Sequence, residues 1–273
     1  MPSIADKVEA FRKLHQPGNP LLMPNPFDAG SARILEGLGF KALATTSSGF
    51  ALTLGRHDYG VTRDQVLEHA RLVASAVDIP VSADLENGFG PSPEDASETV
   101  RLAAMTGLAG GSIEDSTGDD ANPIVELGLA VERIEAAAEA AKASPHGFIL
   151  TARAEARLYG EAPLKEIIAR LKAFANAGAD ILFAPGLDDL DEIKEVASSV
   201  GKPLNVLVMK GLVNASIEDL AKAGVARISI GGALSSAAYG ALYETAETMK
   251  ESGGFSSLAA HSASARAAKK FLR

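Results

Sequence analysis

The residues able to do chemistry gather where apolar runs end. Asp84 closes the run 80–84 and opens the loop Asp84-Leu85-Glu86-Asn87-Gly88-Phe89-Gly90, and Glu114-Asp115 closes the run 110–114. Carboxylates left unpaired at one pocket mouth repel one another. A hard cation resolves the repulsion, and Mg2+ suits an all-oxygen site that keeps several waters. Asp84 and Glu86 stand two residues apart, so an extended chain can point both to one side. Gly88 and Gly90 let the backbone turn tightly beside them. Arg153 closes the run 147–153. Its planar guanidinium suits bidentate capture of a carboxylate, or it serves as a structural partner of Glu155 or Glu114. Ser48-Gly49-Phe50, after the run 41–46, offers a hydroxyl and approachable backbone N–H groups for an oxyanion.

Regular elements must place these residues. Apolar runs at 21–24, 41–46, 80–84, 110–114, 147–153, 180–184, 203–208 and 226–230 alternate with amphipathic stretches near 28–37, 63–77, 94–106, 124–144, 163–177, 188–199, 215–223 and 233–250. Continuous apolar strands imply burial on both faces, as in parallel sheets. Strands separated by helix-length segments imply βαβ units. Eight such units close into a (β/α)8 barrel of TIM type, for which ~250 residues are typical. An open doubly wound sheet would want a Gly-rich loop after its first strand, and Pro24-Asn25-Pro26-Phe27-Asp28-Ala29-Gly30 is not one. Barrel active sites sit at the C-terminal strand ends, which is where the four carboxylates and Arg153 fall. An acid at a strand end can also cap the next helix, but several on neighbouring strands favour a site. An extra helix at 4–14 precedes the barrel, and an Ala-rich helix at 255–272 follows it with more apolar surface than a free tail needs. No linker divides the chain, so residues 1–273 read as a single domain.

Composition narrows the partners. The chain is 47% hydrophobic and 22% charged, which excludes disorder. Its net charge of −9 argues against nucleic acid and anionic membrane as partners. No apolar run approaches the ~20 residues of a membrane span. The absence of Cys removes disulfides, thiolate metal sites and Cys nucleophiles together. The N-terminus is polar and unlike a secretory signal, so a soluble cytoplasmic protein is expected. The five His show no metal spacing, and His69, inside a predicted helix, reads as a surface residue.

Taken in order, the motifs resemble those of the isocitrate lyase/phosphoenolpyruvate mutase superfamily over essentially the whole chain. The loop from Asp84 to Gly90 is similar to the family's D-x-D-x-G-[YF]-G metal loop, with Glu for the second Asp. Ser48-Gly49-Phe50, Gly55-Arg56-His57-Asp58, Ile113-Glu114-Asp115 and Ala152-Arg153-Ala154-Glu155-Ala156 are similar to its S-G-L, G-x-R-D, [LI]-E-D and A-R-x-E-A motifs. The resemblance implies a barrel carrying Mg2+, with Mn2+ as a substitute. Asp84 would be the direct ligand, and Asp58, Glu86 and Glu114 would hold its waters. It further implies that Arg153 grips a substrate carboxylate and that Ser48, Gly49 and Phe50 bind a 2-oxo acid or its enolate. Arg153 and Ser48 are then the candidate catalytic residues. Asn122 echoes the substrate-binding loop of the mutase branch. The implied partner is a small 2-oxo or hydroxy carboxylic acid, and the implied reaction is C–C cleavage beside it by a lyase or decarboxylase. P–C chemistry of the mutase or phosphonopyruvate hydrolase kind is the alternative, as is a ligand-binding pseudoenzyme. The lyase branch carries K-K-C-G-H after its fourth strand, whereas this chain has Ser116-Thr117-Gly118-Asp119-Asp120-Ala121-Asn122-Pro123, so it reads as an outlying member. The family exchanges its last helix between subunits, which implies a homodimer or homotetramer with 251–273 as a C-terminal oligomerisation helix.

Overall fold

The computed structural model describes residues 2–160 and 162–272. Helix α1 (Ile4–Leu14) opens on a capping box in which Ser3 and Asp6 satisfy each other's amides. Strands and helices then alternate: β1 (Leu21–Leu22), α2 (Ala29–Gly37), β2 (Leu43–Ala44), α3 (Ser47–Thr53), α4 (Arg63–Ala76), β3 (Val81–Asp84), α5 (Pro93–Ala103) and β4 (Gly110–Glu114). The second half runs α6 (Leu127–Ala143), β5 (Ile149–Arg153), α7 (Leu164–Asn176), β6 (Ile181–Phe183), α8 (Leu190–Val200), β7 (Leu204–Leu207), α9 (Ile217–Lys222), β8 (Arg227–Ser229), α10 (Ala233–Ser252) and α11 (Ser262–Ala268). All eight strands are parallel to their neighbours in the order β1-β8-β7-β6-β5-β4-β3-β2. The β1–β2 seam is tied by the Ala44 N–H donating to Pro24 O (3.2 Å) and by Asn25 Nδ2 donating to Thr45 O (3.2 Å). The result is the expected (β/α)8 fold of TIM type.

Two apolar regions hold it. The larger lies between sheet and helices, where Leu150, Leu171, Phe174 and Ile193 are fully buried. The smaller plugs the N-terminal end of the barrel: Val8 and Phe11 of α1 insert among Leu21, Met23, Ile149 and Ile181. Burying such side chains contributes ~1.5–3 kcal/mol each. With that end closed, the opposite end is left for a cavity. Among the described residues no helix is long and apolar enough to cross a membrane.

One element was not foreseen and two expectations need correction. Ser47–Thr53 forms a helix that seven residues without amphipathic period did not announce; its N-cap is Thr46, whose Oγ1 accepts from Gly49 N. His69 is buried, with Nε2 3.0 Å from Phe27 O and its ring stacked on Phe50. The segment 255–272 is not one helix. Gly253 ends α10 at φ +66, in the left-handed region that glycine adopts without strain, and 3-10 turns at Ser256–Ala259 and Lys269–Phe271 flank α11. The Phe271 ring lies over Gly37 of α2, where any Cβ would collide with it. Phe271 thus rests on α2, and Arg273 lies outside the described residues.

Candidate active site

Strand register brings the predicted residues together. β3 pairs Asp84 with Ser112 of β4, and β4 pairs Glu114 with Arg153 of β5. Asp84, Glu114 and Arg153 thus stand at adjacent C-terminal strand ends. Arg153 Nη1 lies 3.0 Å from Asp84 Oδ1 and 3.2 Å from Glu114 Oε2, and Nε donates to Glu155 Oε1 at 2.8 Å. Its guanidinium carbon lies 5.0 Å from the centre of the Phe183 ring. Burial opposes the charge on Arg153, but Glu155, Glu114 and Asp84 outweigh it and hold the guanidinium protonated. Arg153 is therefore a structural partner of both Glu114 and Glu155, and it also lines the cavity described below.

The loop after β3 is held in an uncommon conformation. Glu86 and Phe89 have φ of 49 and 62, a region that non-glycine residues rarely enter. Asp84 stabilises this loop, accepting from Glu86 N at Oδ1 (3.2 Å) and from Ser47 N at Oδ2 (3.3 Å). Gly88, at φ +79, sits against Ala96 of α5, so a side chain there would be both strained and crowded.

A cavity of about 200 Å³ opens among these strand ends, lined by Asp58, Asp84, Arg153, Ser47 and Ser48, with Asn205 and Arg227 also in its wall. Ser48 keeps its hydroxyl 3.2 Å from Thr46 Oγ1. Gly49 and Phe50 lie behind the cavity wall, where the Gly49 amide bonds Thr46 Oγ1 and the Phe50 amide bonds Thr46 O. Those amides are spent on starting α3. Glu86 and Asn122 border neighbouring surface hollows, and Asn122 sits exposed on the loop after β4. Asp115 does not converge with the others. Consecutive strand residues point to opposite faces, and Asp115 turns outward to an ion pair with Arg170 (3.1 Å) while accepting from Glu155 N (2.7 Å). Tyr59, which sequence reasoning missed, donates its hydroxyl to Glu114, and Tyr159 stands 3.2 Å from Ser116 Oγ. No spacing signal marked either tyrosine, since both come from loops.

The electrostatics are those of a site with surplus negative charge. Burial, then Asp84 and Asp58, push Glu86 up to about 8. Burial and Asp84 raise Asp58, and burial raises Glu114 against the pull of Arg153. Glu86 Oε1 is buried with no hydrogen-bond partner. Among the described residues, no three His, Cys, Asp or Glu side chains stand close enough to cage a metal. Mg2+ does not require a cage, because one or two carboxylates and several waters suffice. The chemistry of the donor set fits such an ion: Asp84 is on the cavity wall, and under-compensated acids surround it.

A TIM-type barrel with carboxylates and an arginine at the C-terminal ends of β3 to β5 has the architecture of an enzyme. The chain belongs to the phosphoenolpyruvate phosphomutase family, whose model matches residues 11–250, and so to the isocitrate lyase/phosphoenolpyruvate mutase superfamily. A Burkholderia cenocepacia J2315 structure described as a lyase/mutase is 49% identical, covers 94% of this chain and 92% of its own, and superposes with a TM-score of 0.90. Oxaloacetate decarboxylase of Pseudomonas entomophila (strain L48) is 30% identical over 242 residues, 86% of this chain and 82% of the relative. A phosphonopyruvate hydrolase in complex with oxalate and Mg2+ is 26% identical, with a TM-score of 0.80 over 92% of this chain and 89% of its own.

Proposed function

We propose that this chain is a Mg2+-dependent enzyme that cleaves a C–C bond next to a small 2-oxo acid, as a lyase or decarboxylase. The observation that carries this reading is the group Asp84, Glu114, Arg153 and Glu155 beside the cavity, with Asp58 and the unpartnered Glu86 oxygen around it. Asp84 would bind the ion directly, and Asp58, Glu86 and Glu114 would hold its waters. Bound there, Mg2+ supplies Lewis-acid stabilisation of negative charge on a carbonyl oxygen. The chain's own residues do the rest. Arg153 bridges Asp84 and Glu114 through Nη1 and lines the cavity beside them. Ser48 offers a hydroxyl at the same wall. Tyr59 fixes the Glu114 carboxylate. A cavity of about 200 Å³ is large enough for a small acid.

The test is turnover of oxaloacetate, malate-type acids and phosphonopyruvate with Mg2+, and again with excess chelator. C–C cleavage that chelator stops is expected. Cleavage of phosphonopyruvate alone would move the reading to P–C chemistry, and activity indifferent to chelator would overturn the metal. One observation favours a pseudoenzyme: the loop 116–123 holds no Lys, Cys or His to deliver a proton. Its signature would be metal-dependent binding of the acids with turnover of none. We also propose that the exposed Phe255, Leu258 and Leu272 serve subunit assembly. Sedimentation of a chain lacking 254–273 should then show a smaller species than the full-length protein.

A further inference from the structure

Beneath the carboxylate group, the cavity floor carries a second guanidinium that the proposed chemistry does not use. Arg227 starts β8 and is 3% exposed. Its Nε donates to Asn205 Oδ1 at 2.8 Å, Nη2 donates to Thr151 Oγ1 at 3.2 Å, and Nη1 lies 3.5 Å from His15 Nε2. Every one of these partners is neutral, since burial and Arg227 itself push His15 down to about 3. No carboxylate among the described residues pairs with Arg227, and the nearby Arg153 repels it. Burial brings Arg227 down only to about 9, so it remains charged at neutral pH.

Buried charges are ordinarily paired, because an unpaired one forgoes its hydration without return. Arg153 obeys that rule with three acids, and Arg227 does not. Arg227 also lines the cavity together with Asn205 and Ser229. Asn205 is held for its task, because its Nδ2 donates to Ser229 Oγ at 3.0 Å and so aims Oδ1 at Arg227. The arrangement is a preoriented, positively charged floor under a polar cavity that opens towards Asp84 and Arg153.

We infer that Arg227, oriented by Asn205, is an anion subsite that takes one carboxylate of a short dicarboxylate acid. The other end of that acid lies against the Asp84–Arg153 wall, and for this end the inference rests on the 2-oxo or hydroxy acid reading above. The missing counter-ion of Arg227 is thus carried in by the ligand, and the cavity distinguishes a dicarboxylate from its monocarboxylate relative.

Calorimetric titration of the full-length protein with (S)-lactate and (S)-malate in saturating Mg2+ tests this, because the two acids differ by a single carboxylate. The wild type should bind malate at least tenfold more tightly than lactate. Arg227→Gln and Arg227→Lys should each lower malate affinity at least tenfold and leave lactate within twofold. Thermal melts identify a variant that fails to fold, and the wild-type pair then decides alone. Equal affinity for the two acids, parallel loss of both in a folded variant, or binding of neither would overturn the subsite. Chelator provides the separate arm. It should weaken both acids alike, and if it changes neither while the malate preference persists, the metal reading fails and the Arg227 subsite stands.

Discussion

At the N-terminal end of the barrel the interior is closed by Val8 and Phe11 packed among Leu21, Ile149 and Ile181, while at the C-terminal end Asp84, Glu114 and Glu155 crowd around Arg153 beside an open cavity. The same strands serve both. β5 enters the barrel with Ile149 in the apolar plug and leaves it with Arg153 in the carboxylate group. One end is held by burial that needs no partner of a particular kind. The other is held by charges that must find each other and that remain in surplus. Apolar burial at one end stabilises the chain against the cost of leaving acids under-compensated at the other.

This contrast can be broken most sharply at Asp84. Asp84→Ala should reduce turnover to the uncatalysed background and abolish Mg2+ binding by calorimetry, since the one acid proposed to touch the ion is lost. Metal binding that survives would transfer the site elsewhere. The counterpart at the other end is Phe11→Ala, which should destabilise by ~3–5 kcal/mol through the cavity it leaves, yet leave kcat per folded molecule unchanged. A fall in kcat at temperatures where the variant is folded would show that the ends are coupled.

Arg153→Lys sharpens the comparison further. The charge is kept and the planar fork is lost, so one cation can no longer serve three acids. A loss of ~1.5–3 kcal/mol is expected in both acid binding and stability, the range for hydrogen bonds to charged groups. Denaturant unfolding together with titration checks this, and an unchanged midpoint would mean that the pairs add nothing to the fold. The pH dependence belongs to His15. Its folded value of about 3 lies below the ordinary 6.5, because burial and Arg227 disfavour the imidazolium. The unfolded chain therefore binds the extra proton between those values. This share of stability is intact above about pH 6.5 and is lost as pH falls towards 3, at ~1.4 kcal/mol per pH unit. His15→Gln should flatten the stability–pH curve in that window, and an unchanged slope would remove the assignment.

Much of the fold was legible because its signals are local. Each apolar run and the amphipathic stretch after it span a single βα unit, and their eightfold repetition implies a barrel. The rule that barrel chemistry sits at C-terminal strand ends then singles out Asp84, Glu114 and Arg153, all of which stand there. The departures were local signals that proved too weak. Ser47–Thr53 is too short to show a helical period, and the Ala-rich tail looked continuous although 3-10 turns at Ser256–Ala259 and Lys269–Phe271 leave only Ser262–Ala268 as α-helix.

What sequence alone determined, then, is the order of elements and the types of residue at the strand ends, since both are written within a few neighbouring positions. Tertiary structure decided which charges meet. Asp115 faces Arg170, 55 positions further along, and Arg153 gathers Asp84 from 69 positions away. Arg227 reaches Thr151 from 76 positions away and pairs with no acid among the described residues. Strand register across the closed sheet sets these distances, and periodicity within one segment carries no record of register between segments.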